Sequence, residues 1–207
     1  MTGVQTCALP IFYDWIEIAE GLGSQVSITD AGNGNSSYTA STDDRTLPFP
    51  FTFYGEEYNT IQINTNGWIS FGNFEMNAFR NYPIPGAGGP SPMIAAFWDD
   101  LRTGSGGYVY YYESPDFVVI QWDDMRICGI LGGGWYPDQC TSSIRNTFQM
   151  ILYPSNEIKI QYQDFNNESN GYYSGTPSHG CYSTIGIENH LGDRSEEHTS
   201  ELQSHLN

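Results

Sequence analysis

Basic residues are scarce. The chain has 7 Lys and Arg in 207 residues against 24 Asp and Glu, for a formal charge of −17. Contacts to a phosphate backbone need clustered Lys and Arg, so the composition argues against nucleic-acid binding. Long apolar runs are also missing, and no stretch approaches the 18 residues of a membrane-spanning helix. No convincing amphipathic helix appears between Phe12 and Asp193. Strand patterns that follow one another without helices rule against a parallel α/β fold. The Ser nucleophile elbow, the phosphate loop and the dinucleotide fingerprint are absent, and no catalytic residue is assigned. Disorder is excluded by what is present, since aromatic residues make up 15% of the chain.

The two ends read as translated oligonucleotide. Arg194–Ser204 back-translates to one strand of a widely used sequencing adapter. Thr2–Ile11 back-translates to the complementary strand, shifted by one base, with Met1 as a GTG start. Complementary strands of one oligonucleotide do not meet at two ends by chance. Thr2–Ile11 also lacks the basic start and the length of a signal peptide. Residues 1–11 and 194–207 are therefore expected to be adapter-encoded. Residues 12–193 are expected to form a single domain, a metagenomic fragment of a larger protein. A domain of that size buries roughly 70% of its unfolded surface, enough for a real core.

Within those bounds period-2 alternation recurs. Ile158, Ile160 and Tyr162 are expected to face inward, with Glu157, Lys159 and Gln161 toward water. Phe148, Met150 and Leu152 form a second inner face beside Gln149, and Pro154–Asn156 joins the two as a hairpin. Ile61 and Ile63 lead into Asn66-Gly67, a two-residue hairpin signal because both positions tolerate positive φ, and Trp68–Phe71 returns. Tyr108–Tyr112 pairs with Phe117–Trp122 across Ser114–Asp116. Further strands are expected at Tyr13–Ile18, Gln25–Ile28, Phe49–Phe53, Ile94–Trp98 and Thr184–Ile187. Asp30–Asp44, Asn81–Pro92 and Gly129–Ser143 read as loops. About eleven short strands with little or no helix predict an all-β fold, an antiparallel β-sandwich of jelly-roll-like type.

Four groups of residues carry possible chemistry. Asp99 and Asp100 follow an apolar strand, and Asp123 and Asp124 follow Trp122. Clustered carboxylates of this kind suit Ca²⁺, which takes six to eight oxygens, or a glycosidase pair. They equally suit a turn in which one Asp accepts backbone N–H bonds and the other faces water. Asp30–Asn35 has the flavour of a calcium loop but lacks the later bidentate Glu. Cys128 and Cys140 bracket a glycine-rich loop, and a disulfide there would close about a dozen residues and stabilise by roughly 3 kcal/mol. Cys181 is left over, and its partner cannot be read from sequence. His179, Cys181 and His190 read more simply as loop residues than as a metal or nucleophile site. Trp135 and Tyr136, and Tyr172 and Tyr173, lie in loops where flat aromatic faces with polar neighbours would stack on sugar rings. Trp68, Trp98 and Trp122 are better explained as core.

An ordered set of motifs resembles a known module. Phe51–Gly55, Tyr58, Asn66–Gly72, Ile94–Leu101, Asn146–Tyr153 and Thr184–Asn189 are similar to a β-rich module of large secreted bacterial proteins. That module is often found beside subtilisin-like or gingipain-like peptidases. The central part resembles the nidogen-type extracellular domain. The resemblance spans roughly residues 47–189. Ala96 stands where the pattern usually has Pro, and the 129–143 loop with its two cysteines is extra. The resemblance implies an extracellular, non-catalytic accessory or adhesion module, with a protein, matrix or glycan as partner and further domains in the same chain. It requires no cofactor, with Ca²⁺ as the one candidate. The alternative is a jelly-roll glycoside hydrolase using Asp99 or Asp100 with Asp123 or Asp124.

Overall fold

Alternating apolar residues build twelve strands in the computed structural model, which describes residues 13–29, 42–72, 83–86, 91–99, 101–103, 106–127, 145–165 and 183–197. These are β1 (Ser24–Gln25), β2 (Thr42–Phe53), β3 (Glu56–Asn64), β4 (Trp68–Phe71), β5 (Met93–Trp98), β6 (Leu101–Arg102), β7 (Tyr108–Glu113), β8 (Val118–Ile127), β9 (Asn146–Leu152), β10 (Ile158–Phe165), β11 (Thr184–Glu188) and β12 (Ser195–Glu197). No helix occurs among the described residues. One sheet runs β1-β7-β8-β9-β10, with β6 added on β8, and the other runs β12-β11-β5-β4-β3-β2. Every pairing is antiparallel. The chain completes a meander in the second sheet (β2 to β5), then one in the first (β7 to β10). It crosses back to set β11 beside β5.

The core lies between the sheets. In β2, Leu47, Phe49, Phe51 and Phe53 are buried while Pro48, Pro50 and Thr52 are exposed. β2 is an edge strand, which is where proline's missing N–H is tolerated. Its ladder with β3 skips from Thr46 to Phe51 across both prolines. Phe51 stacks on Phe71 at 5.4 Å, and Trp122 stacks on Phe148 at 5.1 Å. Burying side chains of this size contributes roughly 1.5–3 kcal/mol each. Two hydrogen bonds fix one sheet on the other: Trp122 Nε1 donates to Asn64 O (2.9 Å) and Tyr162 Oη to Ala96 O (2.6 Å).

Several expectations are corrected. Tyr13–Ile18 forms no strand and belongs to neither sheet. The Gln25–Ile28 strand reduces to Ser24–Gln25, continued by one bond from Val26 N to Val109 O. β2 begins at Thr42, so the expected loop to Asp44 is shorter. The Asn66-Gly67 hairpin has a three-residue loop, because Asn64 pairs with Trp68 and only Gly67 has positive φ. Gln161 does not face water and is almost fully buried. β12 falls within the segment read as adapter and pairs along β11. Strand addition to a free edge uses backbone groups alone, so it makes little demand on sequence. Trp68, Trp98 and Trp122 are fully buried, as expected.

Candidate functional site

Asp99 sits at a junction built by the Asn66-Gly67 loop. Gly67 O accepts bonds from Ala96 N and Phe97 N, each 3.0 Å. A Cβ on Gly67 would lie 1.9 Å from Phe97 O, so no other residue fits this approach. Asn66 Oδ1 accepts from Leu101 N (2.9 Å), and Asp99 O accepts from Leu101 N as well (2.8 Å). The Asn-Gly and Trp-Asp motifs are thus two halves of one backbone joint. Asp100 lies outside the described residues.

Asp123 and Asp124 form a bulge in β8, where the ladder to β9 skips from Trp122 to Met125. Asp124 takes φ 53° and its N–H donates to Thr147 Oγ1 (3.0 Å). Its Oδ2 pairs with Arg145 Nη1 at 2.9 Å. Arg126 stands opposite Arg102 across β6 and β8. Burial first, then repulsion from Arg145 and Arg102, pulls the Arg126 guanidinium below its usual range. A cation at Asp124 would meet this positive charge. Asp123 turns to other partners, and Gln121 Nε2 donates to its Oδ1 (3.3 Å). Burial raises the Asp123 carboxyl above the usual range, the Gln121 bond opposes, and Glu17 and Asp124 raise it further. Among the described residues no three His, Cys, Asp or Glu side chains form a metal-holding group. The disulfide candidates Cys128 and Cys140 and the loop aromatics Trp135, Tyr136, Tyr172 and Tyr173 lie outside the described residues.

A site that the sequence reading missed covers the outer face of the first sheet. Gln121, Gln149 and Gln161 stand in register on β8, β9 and β10. All three are buried, because Tyr13–Ile18 crosses over them. Asp14 N donates to Gln161 Oε1 and Gln161 Nε2 donates to Asp14 O, both 2.8 Å. Ile16 N donates to Gln149 Oε1 (3.4 Å) and Gln149 Nε2 to Ile16 O (3.3 Å). Gln121 Nε2 reaches Glu17 Oε1 at 3.4 Å. Gln149 and Gln161 each present one donor and one acceptor to the segment, as a neighbouring strand would. Ile18 closes the crossing, fully buried on Val119 and Ile151, with Tyr110 and Tyr112 packed at its side. Gln121 and Gln149 stand between apolar neighbours, Ile120 and Trp122 and Phe148 and Met150, whereas Gln161 lies in an alternating stretch. Alternation alone assigned one of them, Gln161, to solvent.

A family model described as "NIDO related" matches residues 22–205, most of the chain. The chain belongs to this NIDO-related family. The nidogen-type resemblance is borne out at that level. Alpha-tectorin of Mus musculus is 33% identical over 92 residues, which is 42% of this chain and 4% of the mouse protein. Alpha-tectorin of Homo sapiens is 30% identical over 92 residues, with the same shares. Alpha-tectorin of Gallus gallus is 33% identical over 99 residues, 44% of this chain and 5% of that protein. The matched part of the NIDO-related chain therefore spans about one twentieth of these relatives. No solved structure matches. No helix among the described residues is long and apolar enough to cross a membrane.

Proposed function

We propose that this NIDO-related chain is a non-catalytic, extracellular interaction module within a larger secreted protein. The observation that carries the reading is the family match together with relatives of which it spans only 4–5%. A domain related to so small a part of long proteins reads as one unit among many. The nidogen-type resemblance supplies the extracellular setting. A bacterial host protein with a neighbouring peptidase is part of the same proposal and rests on the motif resemblance alone. The domain proper is proposed as residues 12–193.

The carboxylate geometry favours binding over chemistry. Asp124 is engaged by Arg145, and Asp123 turns to Gln121. The hydrolase alternative pairs Asp99 or Asp100 with Asp123 or Asp124, and the ion pair to Arg145 counts against Asp124 as the second acid. Loops carrying Trp135, Tyr136, Tyr172 and Tyr173 are the proposed contacts for a protein, matrix or glycan. Calcium, where it acts, is proposed at Asp99 and Asp100, because Asp124 is already paired to Arg145. The test is a glycan and matrix-protein array followed by turnover assays on each hit. Binding without turnover is expected. Polysaccharide cleavage that disappears in Asp123→Asn would overturn the reading in favour of a hydrolase.

A further inference from the structure

Cations are rare in this chain, and three of its 7 Lys and Arg stand together. Arg102 and Arg126 are direct cross-strand partners on β6 and β8. Leu101 and Met125, which precede them, belong to the core. By alternation both arginines therefore leave the outer face of the first sheet. Arg145 precedes β9, and its Nη1 reaches Asp124 Oδ2 (2.9 Å) and Asp124 O (3.1 Å) at the β8 bulge. Like charges directly opposite one another in a sheet are destabilising. At Arg126 the repulsion from Arg145 and that from Arg102 each exceed the attraction of Asp124. Arg102 Nε is buried with no hydrogen-bond partner among the described residues. A neutral pair at positions 102 and 126 would avoid the repulsion. Two adjacent arginines are instead what an oxyanion requires, since each planar fork of N–H donors grips a carboxylate or sulfate with two bonds.

The same end of the sheet supplies an aromatic ring. Gly106 and Gly107 bring the start of β7 against the cluster. A Cβ on Gly106 would lie 2.8 Å from Asp124 Oδ2 and 3.1 Å from Arg145 Nη1, and one on Gly107 would lie 2.6 Å from Arg102 O. Tyr108 follows and is 38% exposed, the most open aromatic side chain of β7 and β8. It stands opposite Asp123 on β8. An open aromatic ring stacks on a sugar, and a carboxylate beside it accepts from sugar hydroxyls. The formal charge of −17 acts against a dense polyanion, most of whose charges would lie over acidic surface. An otherwise neutral sugar with a single acidic group avoids that repulsion.

We propose that Arg102, Arg126 and Arg145, with Tyr108 at their side, form a binding site for an acidic sugar, the arginines taking its carboxylate or sulfate and Tyr108 its ring. This deepens the glycan arm of the interaction role proposed above and rests on it. It uses none of the aromatic residues proposed there as contacts.

The test is calorimetric titration of the full chain, with NMR on the same samples. The probes are methyl glucuronide, a glucose sulfate ester and the neutral methyl glucoside. At least one acidic sugar should bind, and the tighter of the two identifies the oxyanion. The neutral sugar should not bind. Binding should shift the Nε–H resonances of Arg102 and Arg126 together with the Tyr108 ring. Arg102→Gln and Arg126→Gln should each weaken binding about tenfold, the loss expected for one charged hydrogen bond. Neither should lower the melting temperature, because each removes a like-charge contact. The proposal is overturned if neither acidic sugar binds, or if the neutral sugar binds as well as they do. Acetate or inorganic sulfate binding as tightly as the sugars overturns it too, as does a fall in melting temperature in both arginine variants. If these sugars fail while a glycan-array hit remains, the interaction role stands and this site falls. If the array is also blank, the glycan arm falls with it.

Discussion

Both outer faces of the sandwich are closed by chain that is not strand, and they are closed by different chemistry. On the first sheet, neutral glutamine amides hold the backbone of Asp14 and Ile16. On the second sheet, the fully buried carboxylate of Glu188 accepts from Gly86 N (2.8 Å) and Ser91 Oγ. Ile84 of the same loop packs on Trp68, Met93, Ala95 and Trp98. A buried charge is stable only while its donors stay in place, because the group left behind bears the full desolvation penalty. A neutral amide left to water loses little. The contrast implies that losing the cover costs the second face more than the first.

The largest break should come from the second face. Trp98→Ala removes a fully buried indole and should lower stability by about 3–5 kcal/mol in a denaturant titration. Glu188→Ala leaves Gly86 N and Ser91 Oγ without their acceptor. It should cost about 1–3 kcal/mol, and the Gly86 amide should lose hydrogen-exchange protection.

Smaller effects belong to the first face. Gln161→Ala should cost about 1 kcal/mol. It should expose the Asp14 amide to exchange while β4 and β5 keep full protection. If Gln161→Ala costs as much as Glu188→Ala, the two faces do not differ and the comparison fails.

Asp123 tests electrostatics at the rim of the first face. Its raised pKa means the folded chain holds that proton more tightly than the unfolded chain does. Stability therefore falls as pH rises from the ordinary Asp value near 3.9 through the raised one. Asp123→Asn should be more stable than the parent at pH 7, by under about 0.5 kcal/mol for a half-exposed, screened group. The difference should vanish below the ordinary value, where both chains are neutral at this position. A gain that persists in strong acid would point to packing instead. The smallest expected effect is that of EDTA. With Asp124 already paired to Arg145 and no group of three metal-holding side chains among the described residues, the melting temperature should not move, and a clear drop would point to calcium at Asp99 and Asp100.

Much of this was legible in order. Ile158, Ile160, Phe148 and Met150 announced strands and faces, because a half-buried strand must alternate. Pro154–Asn156 announced a hairpin that the register of Ile158 with Leu152 bears out. The Asn66-Gly67 signal was right in place but wrong in length, since its geometry is set by the approach of Gly67 to Phe97. The glutamine site was not legible. Residues 13–18 have the composition of a strand, and nothing local shows that their hydrogen bonds go to side chains more than a hundred residues away.

The sequence by itself determined the all-β class, the strand faces, the turn positions and the acidic character, because each depends on neighbours a few residues apart. Only the tertiary structure decided which segments close the two outer faces, that Asp123 and Asp124 part company in a bulge, and that three distant glutamines line up. Those outcomes depend on strand register across sheets, which joins residues remote in sequence and leaves no periodic trace in the chain.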